Sequence, residues 1–325
     1  MPRKIKAKLN EKLTLDLLYE AFKRAAKGKY DKKEVLLFEK NLEVNLSNIL
    51  NKLENRTYKP GKYRCFTIYE PKERLIKSQS FKDRVVHQFI VEEYIKPYMI
   101  PRFINNTFAC LPNKGAHRAI KRLQKDMRKM KKTYGSFYVL KGDIHKYFYS
   151  IDKNILYNII KKYTDDSFLL WLFKIFIFDD KEEKGIPIGN YTSQYFANIY
   201  LNELDQYVKK ELHVKYYYRY MDDFVILCKD KNEAKTLLNY IDTFIQKKLN
   251  LKLNPKTRIF PSKFGVNFCG YITHEYYILL RKRCIKNLKK LKKRKQLNLK
   301  NFIGHLIHAN TYRLIQYLNK EDNKK

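Results

Sequence analysis

The chain has 325 residues, is 44% hydrophobic and is poor in Gly (10) and Pro (9), which excludes a disordered or low-complexity polymer and leaves material for a sizeable core. Sixty-nine Lys and Arg stand against 33 Asp and Glu, a formal net charge of +36 whose self-repulsion a polyanion would relieve. Five scattered cysteines without a Cys-x-x-Cys pair exclude a zinc ribbon or a disulfide framework and fit a reducing cytoplasm.

Nucleic acid is the usual polyanion, and the Tyr and Phe residues interleaved with Lys suit base stacking beside phosphate contacts. A lysine-rich genome explains part of the basic count but not the shortage of acids. The N-terminus has no uninterrupted apolar core, and the most apolar stretch, Phe168 to Phe178, is broken by Lys174 and falls far below the ~20 residues that span a bilayer. A soluble, cytoplasmic protein with no membrane partner is expected.

In chain order, residues 12–27 read as a helix, with Leu13, Leu17, Leu18 and Phe22 on one face. A second helix is expected from Lys33 to Leu53, then an extended segment from Thr67 that enters a helix near Phe81. Asn113, Lys114 and Gly115 mark a turn before a further helix. The run from Ser136 to Gly142 is a short strand with Phe137, Val139, Lys141 and Asp143 on one face. Residues 193–208 are helical, and Tyr216–Tyr220 and Phe224–Cys228 flank Met-Asp-Asp as a hairpin. Asp230 to Leu249 reads as a helix and Phe264 to Ile272 as a last hairpin. From Tyr276 to Lys320 there is no Asp or Glu, and eleven of the twenty residues from Arg281 to Lys300 are Lys or Arg. Solvated faces normally mix signs, so this all-basic helix, with Ile285, Leu288 and Leu291 as its apolar seam, reads as a phosphate-tracking surface.

Chemistry concentrates on Asp143, at a strand end in VLKGDIHKYF, and on Asp222 and Asp223, at the hairpin tip in RYMDDFVIL. Carboxylates at the margin of a buried sheet are costly unless a cation compensates them. Three of them converging would suit two Mg²⁺ ions roughly 4 Å apart, bridging the attacking and leaving oxygens of a phosphoryl transfer. An ordinary solvated turn explains the Asp pair equally well when the tetrapeptide is taken alone.

The ordered series of motifs resembles reverse transcriptases. Tyr220-Met221-Asp222-Asp223 is similar to their catalytic box, and Asp143 to the first metal-binding carboxylate. Gly185-Ile186-Pro187-Ile188-Gly189 with Ser193-Gln194 resembles the box that contacts template and incoming nucleotide. Pro71-Lys72-Glu73-Arg74 and Asp83-Arg84-Val85-Val86 resemble the fingers motifs; Leu253-Asn254-Pro255-Lys256-Thr257 resembles the last palm motif, and Phe268-Cys269-Gly270-Tyr271 the primer grip. Six boxes in order over residues 66–272 are a strong signal where one would be weak. Most bacterial relatives, such as group II intron enzymes, carry Pro-Gln-Gly where this chain has Pro187-Ile188-Gly189, and the pattern that runs from there into Ser193-Gln194 resembles the reverse transcriptases of diversity-generating retroelements.

The resemblance implies an α+β right-hand polymerase: an N-terminal helical extension (1–62), fingers (63–135), an antiparallel-sheet palm (136–273, with a fingers insertion at about 153–184) and a short basic helical thumb (274–325). Asp143, Asp222 and Asp223, with the carbonyl of Ile144, would hold two Mg²⁺ ions, Mn²⁺ being able to substitute. Asp223 is the weaker ligand of the three. Lys72 and Arg74 would bind the triphosphate, Phe148 would exclude a 2′-hydroxyl, and Ile188, Gly189, Gln194 and Lys256 would complete the nucleotide site. Phe268, Cys269, Gly270 and Tyr271 would grip the primer, and Lys114, Lys289, Lys290 and Lys293 the nucleic-acid backbone. The implied partners are template RNA, an RNA–DNA hybrid, dNTPs and a small helical accessory protein; the implied setting is bacterial, archaeal or phage-encoded. An Ile at 188 in place of Gln implies error-prone copying biased to template adenines. A retron or abortive-infection reverse transcriptase and, more distantly, a non-catalytic RNA-binding protein on the same scaffold remain as alternatives.

Overall fold

The computed structural model describes residues 4–5, 9–69, 73–179 and 182–319. Two compact units alternate along the chain: one takes residues 1–104, 145–206 and 244–252, the other 105–144, 207–243 and 253–325.

The first unit begins with helix α1 (Leu15–Ala26), capped by Thr14, whose hydroxyl accepts from the Leu17 N–H; Leu18, Ala21, Phe22 and Ala25 form its buried stripe. The single helix expected from Lys33 onward is two, α2 (Lys33–Glu39) and α3 (Leu42–Glu54). The amide of Asn45 donates to the Phe38 carbonyl at 2.9 Å, satisfying the end of α2 with a side chain where a continuous helix would have used backbone. Strands β1 (Arg64–Ile68) and β2 (Arg74–Ser78) pair antiparallel, Ile68 opposite Arg74. Helix α4 (Phe81–Ile90) follows, with Ser80 at its N-cap. Buried Asp83 in its first turn accepts from Tyr58 Oη at 2.7 Å, from Ser80 Oγ at 2.6 Å and from the Gly61 N–H. Phe22, Phe38 and Phe81 pack edge-to-face and stacked at 5.2–6.0 Å between centroids, tying α1, α2 and α4 into one core. A short helix, α5 (Lys96–Met99), ends this run.

The chain then enters the second unit through α6 (Ala116–Tyr134) and β3 (Tyr138–Asp143). It returns to the first for α7 (Tyr147–Ser150), α8 (Lys153–Lys161), α9 (Ser167–Ile177) and α10 (Tyr191–Gln206). Helix α9 is the apolar run noted above; Asp166 caps it, and Phe168, Leu169, Leu172, Phe173 and Phe176 are buried. Among the described residues no helix is long and apolar enough to cross a membrane.

The second unit is built on a four-stranded antiparallel sheet ordered β4-β5-β3-β6, with β4 (Tyr217–Tyr220), β5 (Asp223–Cys228) and β6 (Arg258–Pro261). Helix α11 (Lys231–Leu249) runs from this unit into the first. Ala119, Leu123, Met127 and Met130 of α6 cover one sheet face, meeting Phe137, Val139, Tyr218, Val225 and Leu227, the alternate positions of three strands. The expected last hairpin is β7 (Val266–Phe268) with β8 (Tyr271–Thr273), and it gains a third strand, β9 (Ile278–Leu280), too short for its alternation to be legible. Helices α12 (Lys282–Lys293), α13 (Lys300–Leu306) and α14 (Tyr312–Asn319) gather on Tyr271, Leu280, Leu288, Leu306 and Leu318.

Candidate active site

Strand β3 ends on Asp143 and strand β5 begins on Asp223, and the two residues stand directly opposite each other in the antiparallel ladder. Directly opposed side chains share a face, roughly 5 Å apart at Cβ. Asp222 lies in the two-residue turn Met221–Asp222, and its carbonyl accepts the Ile144 N–H at 3.3 Å. The strand-end acid and the second acid of the hairpin therefore stand opposite each other, with Asp222 in the adjoining turn.

Three further residues set this geometry. Met221 has φ +56°, a left-handed conformation uncommon for a bulky side chain. The fully buried guanidinium of Arg219 donates to the Met221 carbonyl at 2.9 Å and holds the turn. Gly142 faces Phe224, and a Cβ at 142 would lie 2.1 Å from that ring, so only glycine lets the ring cross the strand end that carries Asp143.

The acids are also paired. Lys141 Nζ lies 3.0 Å from Asp223 Oδ2 and 2.9 Å from Oδ1, the latter outside hydrogen-bonding alignment, so that Oδ1 stays buried without a hydrogen-bond donor. Burial pushes the Asp223 carboxyl up to about 6; Lys141 and Arg281 oppose the shift and Asp143 adds to it. Asn254 donates through Nδ2 to Asp143 Oδ2 at 2.8 Å and through its backbone N–H to the Asp143 carbonyl at 2.7 Å. Among the described residues no three His, Cys, Asp or Glu side chains close into a ready-made metal cage. The expectation of three freely converging carboxylates is corrected to this extent: one is engaged by an ammonium and one by an amide. The donor set still fits a divalent cation. It is all oxygen and comes from two adjacent chain segments.

Sequence reasoning put Lys141 on the face of Asp143 and Asn254 in a palm motif but gave neither a role, and it missed Arg219 and Gly142. The alternation signal was there for Lys141. Nothing in the one-dimensional pattern says which distant residue a β-strand register will place opposite.

The other candidates divide between the units. In the first, the peptides around Phe148 and Ile188 are clamped together: Ile186 N–H donates to the Phe148 carbonyl at 2.9 Å and Gly185 N–H to the Ile151 carbonyl at 2.7 Å. Half-buried Ile188 lines a small groove with Leu75, Lys77 and Tyr149, and its carbonyl accepts the Lys77 N–H at 3.0 Å. Gly189 has φ +133°, and a Cβ there would lie 2.7 Å from the Lys77 carbonyl oxygen, so glycine is required on both counts. Arg74 is exposed at the start of β2, and Gln194 is exposed on the first turn of α10. Lys72 lies outside the described residues.

In the second unit, Lys256 is exposed beside the Asn254 turn, its N–H bonded to Asn254 Oδ1. Of the primer-grip candidates, Phe268 and Tyr271 have fully buried side chains, and Cys269 (φ +49°) and Gly270 (φ +91°) form the turn between them. The buried pair anchors that turn and cannot offer its rings to a strand. Lys114 Nζ is engaged by the Asn105 carbonyl at 2.8 Å. Lys289, Lys290 and Lys293 are exposed on α12, Lys289 lying over the Tyr317 ring.

Residues 59–273 match the family model described as "Reverse transcriptase (RNA-dependent DNA polymerase)". Among curated proteins, the "Putative COX1/OXI3 intron 2 protein" of Saccharomyces cerevisiae is 25% identical over a stretch covering 41% of this chain and 23% of that protein. Among solved structures, telomerase from Candida albicans in complex with a fragment of telomeric RNA superposes with a TM-score of 0.51 at 13% identity, covering 74% of this chain and 52% of that one. Apo telomerase from Candida tropicalis, truncated from its C-terminal domain, gives 0.50 at 14%, covering 71% and 59%. The chain thus spans about a quarter of the yeast relative and somewhat over half of the telomerase chains, whose likeness lies in the α+β polymerase fold. With well over half of its length matched in a single unbroken stretch, the chain belongs to the reverse transcriptase family.

Proposed function

We propose that the chain copies RNA into DNA: a primer 3′-hydroxyl attacks the α-phosphate of a dNTP selected by an RNA template. The observation that carries this reading is the register pair Asp143–Asp223, with Asp222 in the adjoining turn, inside a chain of the reverse transcriptase family. Asp143, Asp222 and the Ile144 carbonyl would hold two Mg²⁺ ions. Ions held there would lower the pKa of the 3′-hydroxyl and offset charge on the pentavalent phosphate. Asp223 serves beside them, its charge balanced by Lys141. In this reading Lys256 gives a proton to the leaving pyrophosphate and Phe148 rejects a 2′-hydroxyl. The fingers (63–135), palm (136–273) and thumb (274–325) bounds belong to the same proposal, with the α12 lysines tracking the hybrid.

Within this family we assign the chain to the enzymes of diversity-generating retroelements, which make error-prone cDNA and work with a small helical accessory protein. The support is Ile188, which brings an apolar side chain where a Gln amide would bond the nascent pair. A second reading, an intron-type reverse transcriptase, is favoured by the yeast intron protein among the relatives. Replacing Asp222 by Asn should lower Mg²⁺-dependent primer extension by about a thousandfold or more while RNA binding is retained. Undiminished extension by the variant removes the metal role. A template repeat and a variable repeat that differ at adenines, encoded near the gene, separate the two subgroups.

A further inference from the structure

The five-residue segment Ile188–Thr192 is tied by hydrogen bonds at four positions to residues around β2 and α4, all within the first unit. The Ile188 carbonyl accepts the Lys77 N–H at 3.0 Å. Buried Asn190 donates through Nδ2 to Tyr63 Oη at 2.8 Å. Tyr191 Oη donates to Glu92 Oε1 at 3.2 Å. Thr192, buried on the first turn of α10, lies 3.0 Å through Oγ1 from His87 Nδ1, and His87 Nε2 lies 2.6 Å from Gln79 Oε1. Gly189, the fifth residue, is packed against the Lys77 carbonyl.

The Thr192 tie has one direction. Gln79 turns its carbonyl oxygen to the ring, so His87 Nε2 carries the proton. Burial depresses His87 to about 4 and keeps the imidazole neutral, which makes Nδ1 an acceptor for the Thr192 hydroxyl. The Phe176 ring of α9 packs on the imidazole at 4.6 Å between centroids. This direction leaves Gln79 Nε2 buried without a hydrogen-bond partner. A stranded donor costs stability, so stability alone does not explain the network. A cavity of about 220 Å³ also opens beside Gly189, with Gln79, His87, Asn190 and Tyr191 in its walls. Side-chain packing does not back Gly189 on that flank, and the hydrogen bonds carry more of its placement.

We propose that Tyr63, and His87 acting through Thr192, are positioning residues that hold Ile188 and Gly189 in place before a nucleotide arrives. This rests on the polymerase reading, which puts the dNTP at Ile188 and Gly189. A segment ordered in advance charges the arriving nucleotide no ordering entropy. A loosened one binds only through its ordered fraction, and the apparent affinity falls by that fraction. Once the nucleotide is bound the segment is ordered in either case, so the chemical step is unchanged.

The test is single-nucleotide primer extension by the full chain, with hydrogen exchange of the amides of residues 188–194 measured alongside. Thr192→Val removes the hydroxyl at nearly constant shape, Tyr63→Phe removes the acceptor for Asn190, and Thr192→Ser keeps the hydroxyl. Thr192→Val and Tyr63→Phe should each raise the dNTP KM about fivefold, with kcat within about twofold and the template–primer Kd unchanged. Both should speed exchange of those amides, and Thr192→Ser should keep the wild-type KM. A kcat that falls at constant KM would mean only a smaller folded fraction and would overturn the proposal. So would faster exchange with an unmoved KM, or a Thr192→Ser variant as impaired as Thr192→Val. Variants that match the wild type in every readout sink the positioning role and leave the polymerase reading standing. A wild-type chain that extends no primer in Mg²⁺ removes that reading and the positioning role with it.

Discussion

The carboxylate hairpin and the cavity beside Gly189 treat buried polar groups in opposite ways. In the hairpin, Asp143 is bonded by Asn254 and Asp223 is balanced by Lys141, so the excess negative charge is already partly compensated. In the cavity, Gln79 Nε2 and Arg24 Nη1 are buried with no acceptor. Strand pairing fixes the backbone that carries Lys141 to Asp223, and Asn254 reaches Asp143 from the turn before β6. The cavity is bounded by parts of α1, α4 and α10 together with Lys29, Ser78, Gln79, Gly189 and Asn190 outside those helices. The contrast teaches that strand pairing and a packed turn satisfy the acids of the hairpin, whereas packing beside Gly189 leaves two nitrogen atoms buried without a hydrogen-bond partner.

The largest effect should come from the glycine under the hairpin. Gly142→Ala drives a methyl into Phe224 and should destabilise the second unit by about 3 kcal/mol in urea unfolding, with recovery when Phe224→Leu is added. A neutral outcome would mean the strand end carrying Asp143 is not fixed by packing. A comparable effect, spread over pH, belongs to the cavity wall. The folded His87 value of about 4 lies below its ordinary 6.5, so the unfolded chain takes up a proton that the folded chain refuses. Stability should be fully present above pH 6.5 and be lost as pH falls toward 4, by at most about 3 kcal/mol. The wild-type-minus-His87→Gln difference in unfolding free energy should show that slope, and a flat difference would detach His87 from the cavity wall.

Smaller is the Lys141–Asp223 term. A double-mutant cycle with Lys141→Met and Asp223→Asn should give a coupling of about 1 to 2 kcal/mol in stability, with Lys141→Met alone the more harmful. No coupling would mean that the ammonium is screened by solvent and that Asp223 stands as bare as the cavity donors. The smallest change leaves stability untouched: Ile188→Gln should lower misincorporation opposite template adenine, read by sequencing cDNA copied from a defined RNA, and an unaltered error spectrum would sever Ile188 from fidelity.

Much of the carboxylate site was legible before folding. Two β-prone runs on either side of Met-Asp-Asp read as a hairpin, and Asp143 closed a run of strand-forming residues, so both the elements and the acids at their ends were visible. The breaks were not. Asn45 bonding back to Phe38 divided one expected helix into two, and β9 had three residues, too few for a period of two to register. The hairpin over Phe264 to Ile272 was legible, but only burial shows that Phe268 and Tyr271 point into cores while Cys269 and Gly270 make the turn.

The sequence by itself determined the class of chemistry, because charge, the ordered motifs and the position of each acid relative to its apolar flanks are local properties of the chain. Only the tertiary structure decided which residues partner those acids and how Gln79, His87 and Thr192 come together. Lys141 with Asp223, Asn254 with Asp143, and Gln79 with His87 and Thr192 are contacts between segments far apart along the chain or on separate elements, set by strand register and helix packing. The energies of burial and hydrogen bonding that fix such contacts act through space, and a linear pattern does not record them.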